Sequence, residues 1–162
     1  KSALAVYKKY LGDKASGLPG TALLFPLAIQ SENPDEPLVR TILAVNNEEQ
    51  SMIFAGDIPQ GAQARFMKTN FDRLIEGAAT AAGASMSETL ETPELAILIS
   101  CVGRKIVLGQ RVEEEVEVVN EKFNKDTAVI GFYSYGEISP FNPSVSCNFH
   151  NQTMTITTLS EK

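Results

Sequence analysis

Leu95-Ala96-Ile97-Leu98-Ile99-Ser100-Cys101 is the longest apolar run in the chain, and it has the length of a buried strand. Its apolar residues fall on both faces, as they do in a strand at the centre of a covered sheet. Upstream, Asn70 offers an N-cap. Phe71, Leu74, Ile75, Ala78, Ala79 and Ala82 follow as a helical stripe ended by Gly83. Downstream, Gly103-Arg104 reads as a turn, and Val112, Val116, Val119 and Phe123 predict another helix. Glu113, Glu114, Glu115 and Glu117 crowd its early turns, where the helix dipole favours anions, and they read as a solvated face. Two strands close the chain, Val129 to Ile138 and Asn148 to Leu159. They are expected to be adjacent and antiparallel, joined through a proline-rich loop at Ser139 to Ser144.

The first half reads as a helix and an antiparallel meander. Leu4, Tyr7 and Leu11 recur at helical spacing before Gly12. Leu23 to Gln30 is a candidate strand that Pro26 places at an edge or bulge. A turn-rich connection spans Pro34 and Pro37. Leu38 to Val45 and Met52 to Ala55 form a hairpin around Asn46-Asn47-Glu48-Glu49-Gln50, and Ala62 to Lys68 follows as a strand. The fold class is therefore α+β: a mainly antiparallel or mixed β-sheet with about three packed α-helices. No repeat or second boundary interrupts residues 1–162, which read as a single domain.

At 162 residues the chain can bury about two thirds of the surface its unfolded form exposes. The formal net charge of −6, with no basic patch beyond Lys8-Lys9 and Arg104-Lys105, argues against nucleic acid and anionic membrane surfaces. No apolar run approaches the ~18 residues a membrane helix needs. The chain starts at Lys1 with no signal-peptide pattern, which reads as a segment excised from a longer cytoplasmic protein. Two cysteines, Cys101 and Cys147, are too few for a disulfide framework. Asn151-Gln152-Thr153 fits the glycosylation sequon, which means little without a secretory signal.

The residues that could carry chemistry gather in the last two strands. In Gly131-Phe132-Tyr133-Ser134-Tyr135-Gly136-Glu137-Ile138, a two-residue period puts Gly131, Tyr133, Tyr135 and Glu137 on one face. The glycines mark close approach by a ligand or another backbone. In the closing strand Asn151, Thr153, Thr155 and Thr157 share a polar face, while His150, Met154 and Ile156 share the other. Arg40 lies in a mostly apolar strand, so an inward guanidinium needs a carboxylate, either Glu137 or the acid group of a ligand. Arg104 follows a buried strand and a glycine, where backbone N–H groups and a guanidinium could together hold an anion.

Cys101-Val102-Gly103-Arg104, the Gly131 to Ile138 run and His150-Asn151-Gln152-Thr153-Met154-Thr155 closely resemble motifs of the C-terminal half of the FIST sensory domain. Phe25-Pro26-Leu27, Arg40 and Phe54-Ala55-Gly56-Asp57-Ile58-Pro59-Gln60-Gly61 resemble its earlier landmarks. The resemblance implies an intracellular input module that senses small molecules, with amino acids the usual suggestion. It also implies an N-terminal FIST half and a signalling output domain as partners. On this reading Arg40 or Arg104 grips a carboxylate, Glu137 takes an ammonium, Tyr133 and Tyr135 wall the pocket, and Asn151 and Thr153 supply neutral hydrogen bonds, with His150 beside them. No cofactor and no catalysis are expected. Three rivals have other chemistry: a cysteine hydrolase using Cys101, His150 and Glu137, a zinc site from Cys101, Cys147 and His150, and a dimerisation scaffold without a ligand.

Overall fold

A computed structural model describes residues 1–30, 37–86, 93–140 and 147–161. The connections expected at Pro34 and beyond Pro140 lie in part outside these residues. The chain forms two compact units, Lys1–Thr69 and Asn70–Lys162.

In the first unit, helix α1 (Ala3–Leu11) buries Leu4, Tyr7 and Leu11 and stops at Gly12, whose φ of 59° is cheap only for glycine. Residues Gly12–Gly17 and Gly20–Leu24 are short 3-10 turns. Strands β1 (Leu27–Ile29), β2 (Leu38–Arg40), β3 (Ile42–Asn46), β4 (Ser51–Phe54) and β5 (Ala64–Phe66) follow. In place of one meander there are an antiparallel sheet in the order β2-β1-β5 and a separate hairpin β3-β4, and the strand expected over Leu38 to Val45 breaks at Thr41 between the two. Asn46 closes the hairpin loop, its Oδ1 accepting from the N–H groups of Glu48 and Glu49. The strand expected at Leu23 begins only at Leu27, because the Tyr7 hydroxyl donates to the Phe25 carbonyl at 2.7 Å and the chain ahead of Pro26 coils. Tyr7, Leu11, Ala22, Phe25 and Ile42 form this unit's core.

The second unit opens with helix α2 (Phe71–Ser85), capped as expected by Asn70, whose Oδ1 accepts from Arg73 N–H at 3.1 Å. The helix runs on through Gly83. Next come β6 (Leu95–Cys101), α3 (Val102–Leu108), α4 (Val112–Asn120), β7 (Ala128–Ser134), β8 (Glu137–Ser139), β9 (Asn148–His150) and β10 (Met154–Leu159). The α+β class holds, with Gly103 and Arg104 inside the helix α3 where the sequence suggested a turn. Strand β6 is central, as its composition implied, in the order β10-β6-β7. It pairs antiparallel with β10 but parallel with β7, because α3 and α4 carry the chain back to the starting edge.

Three expectations need correction. The Ile130 and Thr153 regions are not neighbours; β7 and β10 flank β6, and Thr153 lies outside any strand. Each of the two long closing strands breaks in two, and only the inner pieces, β8 and β9, pair antiparallel. The described helices of this unit also pack on a single face of the sheet. Ala96 and Leu98 pack with Ala78, Ala82, Val119, Phe123 and Met154. The opposite face leaves Ile130 56 % and Phe132 59 % exposed.

Candidate functional site

The site is built at the carboxyl ends of β6 and β7, the one parallel pair among the described residues. Strand direction changes beside it, since β10 runs antiparallel, and in α/β sheets such ends and switches are where ligands dock. Successive residues point to opposite faces, so each strand end feeds two polar groups.

On the helix-covered side, Ser100 of β6 and Tyr133 of β7 are cross-strand partners. Both donate to Oε1 of Glu115 from α4, at 3.3 and 3.2 Å. Arg104 of α3 donates from Nε to Oε2 of Glu115 at 2.9 Å and from an NH2 group to the Leu74 carbonyl at 2.7 Å. Glu115 is fully buried and Arg104 nearly so. Burial pushes the Tyr133 hydroxyl up to about 12, with the Glu115 charge adding to it. The Lys105 ammonium lies 4.8 Å from the centre of the Tyr133 ring.

On the other side, Glu137 opens β8 only 2 % exposed. The Ser134 hydroxyl donates to its Oε1 at 2.6 Å and the Thr153 hydroxyl to its Oε2 at 2.7 Å. The Thr153 carbonyl accepts from Cys101 N–H at 3.0 Å, which ties this turn to the end of β6. His150 stands opposite Glu137 in the β8–β9 ladder, and its Nε2 lies 2.9 Å from the Ser139 carbonyl. Asn151 and Gln152 are buried in the link between β9 and β10. Asn151 Nδ2 donates to the His150 carbonyl at 3.1 Å, so the sequon nitrogen is inaccessible to glycosylation. Gln152 takes a φ of 56°, turning the backbone so that Thr153 reaches Glu137.

Of the residues singled out from sequence, Glu137, His150, Asn151 and Thr153 gather here. Tyr133 and Tyr135 do not form one wall: Tyr133 reaches into the Glu115 group, whereas Tyr135 follows the end of β7 and is 87 % exposed. Arg104 is committed to an internal carboxylate. Arg40 belongs to the first unit, where its Nε donates to the Asp57 carbonyl at 2.9 Å and NH1 to the Val39 carbonyl at 3.2 Å. Its burial lowers the guanidinium's pKa, with Asp57 opposing. The two glycines mark close approach by protein. A Cβ on Gly131 would strike the Leu98 carbonyl, and one on Gly136 would strike the Phe149 ring.

Glu115 is the residue that sequence reasoning misread. It is no part of a solvated face. The signal lies in its spacing, three residues after Val112 and four before Val119, which sets it on the apolar stripe. Ser100 and Ser134 sit at strand ends whose composition gave no such mark.

The rivals meet specific geometry. Burial pushes the Cys101 thiol up, Glu137 adds to that, and the N–H groups of Gln152, Gly103 and Arg104 oppose it. The balance favours the neutral thiol, the opposite of what a nucleophile needs. Cys147 is exposed and Cys101 buried, and no three His, Cys, Asp or Glu side chains gather as metal ligands among the described residues. No helix among them is long and apolar enough to cross a membrane.

The model of the FIST C domain family matches residues 3–140, spanning both units. The chain belongs to this family of sensory domains of signalling proteins. No curated protein and no solved structure matches it.

Proposed function

We propose that this FIST C domain is the non-catalytic, cytoplasmic input module of a signal-transduction protein, and that its ligand is a small molecule presenting an ammonium group to Glu137. One observation carries the reading: a carboxylate 2 % exposed whose partners are two neutral hydroxyls. Among the described residues no lysine or arginine pairs with it. A buried charge without a counter-ion is costly, so a cation that reaches Glu137 gains more there than at an exposed acid. Asn151 and Thr153 add neutral polar groups to the surroundings, with His150 beside them. Amino acids are the ligand class to try first. Their carboxylate then needs a donor of its own. An N-terminal FIST half and an output domain complete the signalling protein on this view.

A thermal-shift screen with amino acids, their amides and simple amines tests it. A ligand at a hundred times its dissociation constant adds about 2.7 kcal/mol. That raises the midpoint by roughly 5–10 °C for a chain of this size. Glu137→Gln keeps the hydroxyl contacts but removes the charge, and it should abolish the shift while the variant still folds. A hit that binds Glu137→Gln as tightly as the wild type, or a screen in which no ammonium compound shifts the midpoint, overturns the proposal.

A further inference from the structure

Among the described residues, strand β7 has a neighbour on one side only. It closes the order β10-β6-β7, so half of its backbone N–H and C=O groups point away from the sheet among the described residues. Its sequence, Ala128-Val129-Ile130-Gly131-Phe132-Tyr133-Ser134, holds no charge and no proline, the devices that usually blunt such an edge. Ile130 and Phe132 project from the sheet face opposite Ala96 and Leu98, at 56 % and 59 % exposure. An open edge of this kind recruits another extended strand.

The strand's own symmetry says which one. Two copies of a seven-residue strand overlap fully and antiparallel only about a two-fold axis at the middle residue, Gly131. That register sets Ile130 of each copy opposite Phe132 of the other, a β-branched and aromatic cross-strand pair. It brings the Tyr133 end of one strand to the Ala128 end of its mate. Lys105, exposed over the Tyr133 ring, then comes to the terminus that carries Glu94 and Asp126, both exposed. The ends are complementary in charge, and the middle presents no like charges, which matters for a chain of net charge −6.

We infer that β7 is a homodimerisation edge, joining two copies into a continuous six-stranded sheet about Gly131. The edge is about 23 Å long at ~3.3 Å per residue. It is short beside the standard interface of about 800 Å² per partner, so the dimer exchanges with monomer as concentration changes. Of the Glu137 group only Ser134, at the end of β7, lies on this edge, and Ile130 and Phe132, which the test changes, make no described hydrogen bond to that group.

Sedimentation of the chain in reductant, over a dilution series into the millimolar range, tests it; the reductant removes any disulfide through the exposed Cys147. A reversible monomer–dimer equilibrium is expected. Ile130→Lys and Phe132→Asp are each expected to be folded by circular dichroism and monomeric, since each opposes a charge to an apolar side chain. Mixing the two variants sets lysine opposite aspartate in this register alone, and it should restore a heterodimer while neither variant self-associates. A wild-type chain that stays monomeric throughout overturns the inference. So does a dimer that survives both single variants, or a mixture that fails to re-associate.

Discussion

Replacing Glu115 by glutamine removes one charge from the most enclosed part of the second unit. Arg104 and Glu115 have side chains 4 % and 0 % exposed, with Nε and Oε2 2.9 Å apart. In Glu115→Gln the guanidinium keeps the Leu74 carbonyl but loses its counter-ion, and the Ser100 and Tyr133 hydroxyls keep only a neutral acceptor. Stripping one partner from a buried ion pair costs about 3–5 kcal/mol. Each kcal/mol moves the midpoint of a chain this size by about 2–4 °C, so a fall of roughly 6–20 °C is expected. Far-UV circular dichroism with heating gives the midpoint, and amide exchange in β6 locates the loss. Two controls sharpen the result. Arg111 pairs with Glu114 and Asp72 at the surface, where such contacts contribute little, so Arg111→Ala should leave the midpoint in place. The double variant Arg104→Met with Glu115→Leu should recover most of the loss, because apolar residues of similar volume need no desolvation. An unchanged midpoint for Glu115→Gln would refute the claim that this pair anchors α3 and α4 to the sheet.

Other outcomes follow from burial and packing. Iodoacetamide at neutral pH should modify exposed Cys147 and spare Cys101 until the chain is denatured; rapid alkylation of Cys101 in the native protein would reopen the nucleophile reading. Tyr7 and Tyr133 are both pushed up to about 12 from 10.0, chiefly by burial. The native state therefore holds protons that the unfolded state has released between those values, and stability should be intact below pH ~10 and fall as pH rises toward ~12. Spectrophotometric titration should show both ionising late, and Tyr133→Phe should remove one of these late steps. Gly131→Ala places a methyl against the Leu98 carbonyl and should lower stability by about 1–3 kcal/mol in urea denaturation; a neutral result would show that β6 and β7 can separate without penalty.

What could be read in advance tracks where the deciding interaction is local. The α2 stripe and its Asn70 cap are decided within a few residues, and the helix forms there. The β3–β4 hairpin is likewise set by its own loop. The apolar run of β6 announced a central strand because a fully apolar segment needs cover, and the described helices of its unit supply it on one face. Pairing between β7 and β10 was misjudged for a non-local reason. Their partner is the strand whose long crossover returns the chain alongside it, and no short-range pattern encodes which edge the return takes. The breaks at Tyr135-Gly136 and Asn151–Thr153 are tertiary as well: they let Glu137 turn inward and Thr153 swing to meet it. Family motifs pointed to these residues, yet their roles divide between two groups that no linear pattern separates.

That division constrains how a sensor built this way can signal. Ser100 and Tyr133 serve the Glu115 group, and the residues that follow them, Cys101 and Ser134, serve the Glu137 group. Adjacent residues of a strand point to opposite faces but share a rigid peptide plane. A ligand that draws Glu137 away from Ser134 and Thr153 therefore loads the same strand ends that position Tyr133 and Ser100 against Glu115. Glu115 belongs to α4 and Arg104 to α3, so on the proposed ligand reading these two helices are the elements tied most directly to the loaded strand ends. If a cation binds Glu137 as proposed, the buried Arg104–Glu115 pair resists separation under that load because breaking it costs several kcal/mol. A surface ion pair in its place would yield before anything moved.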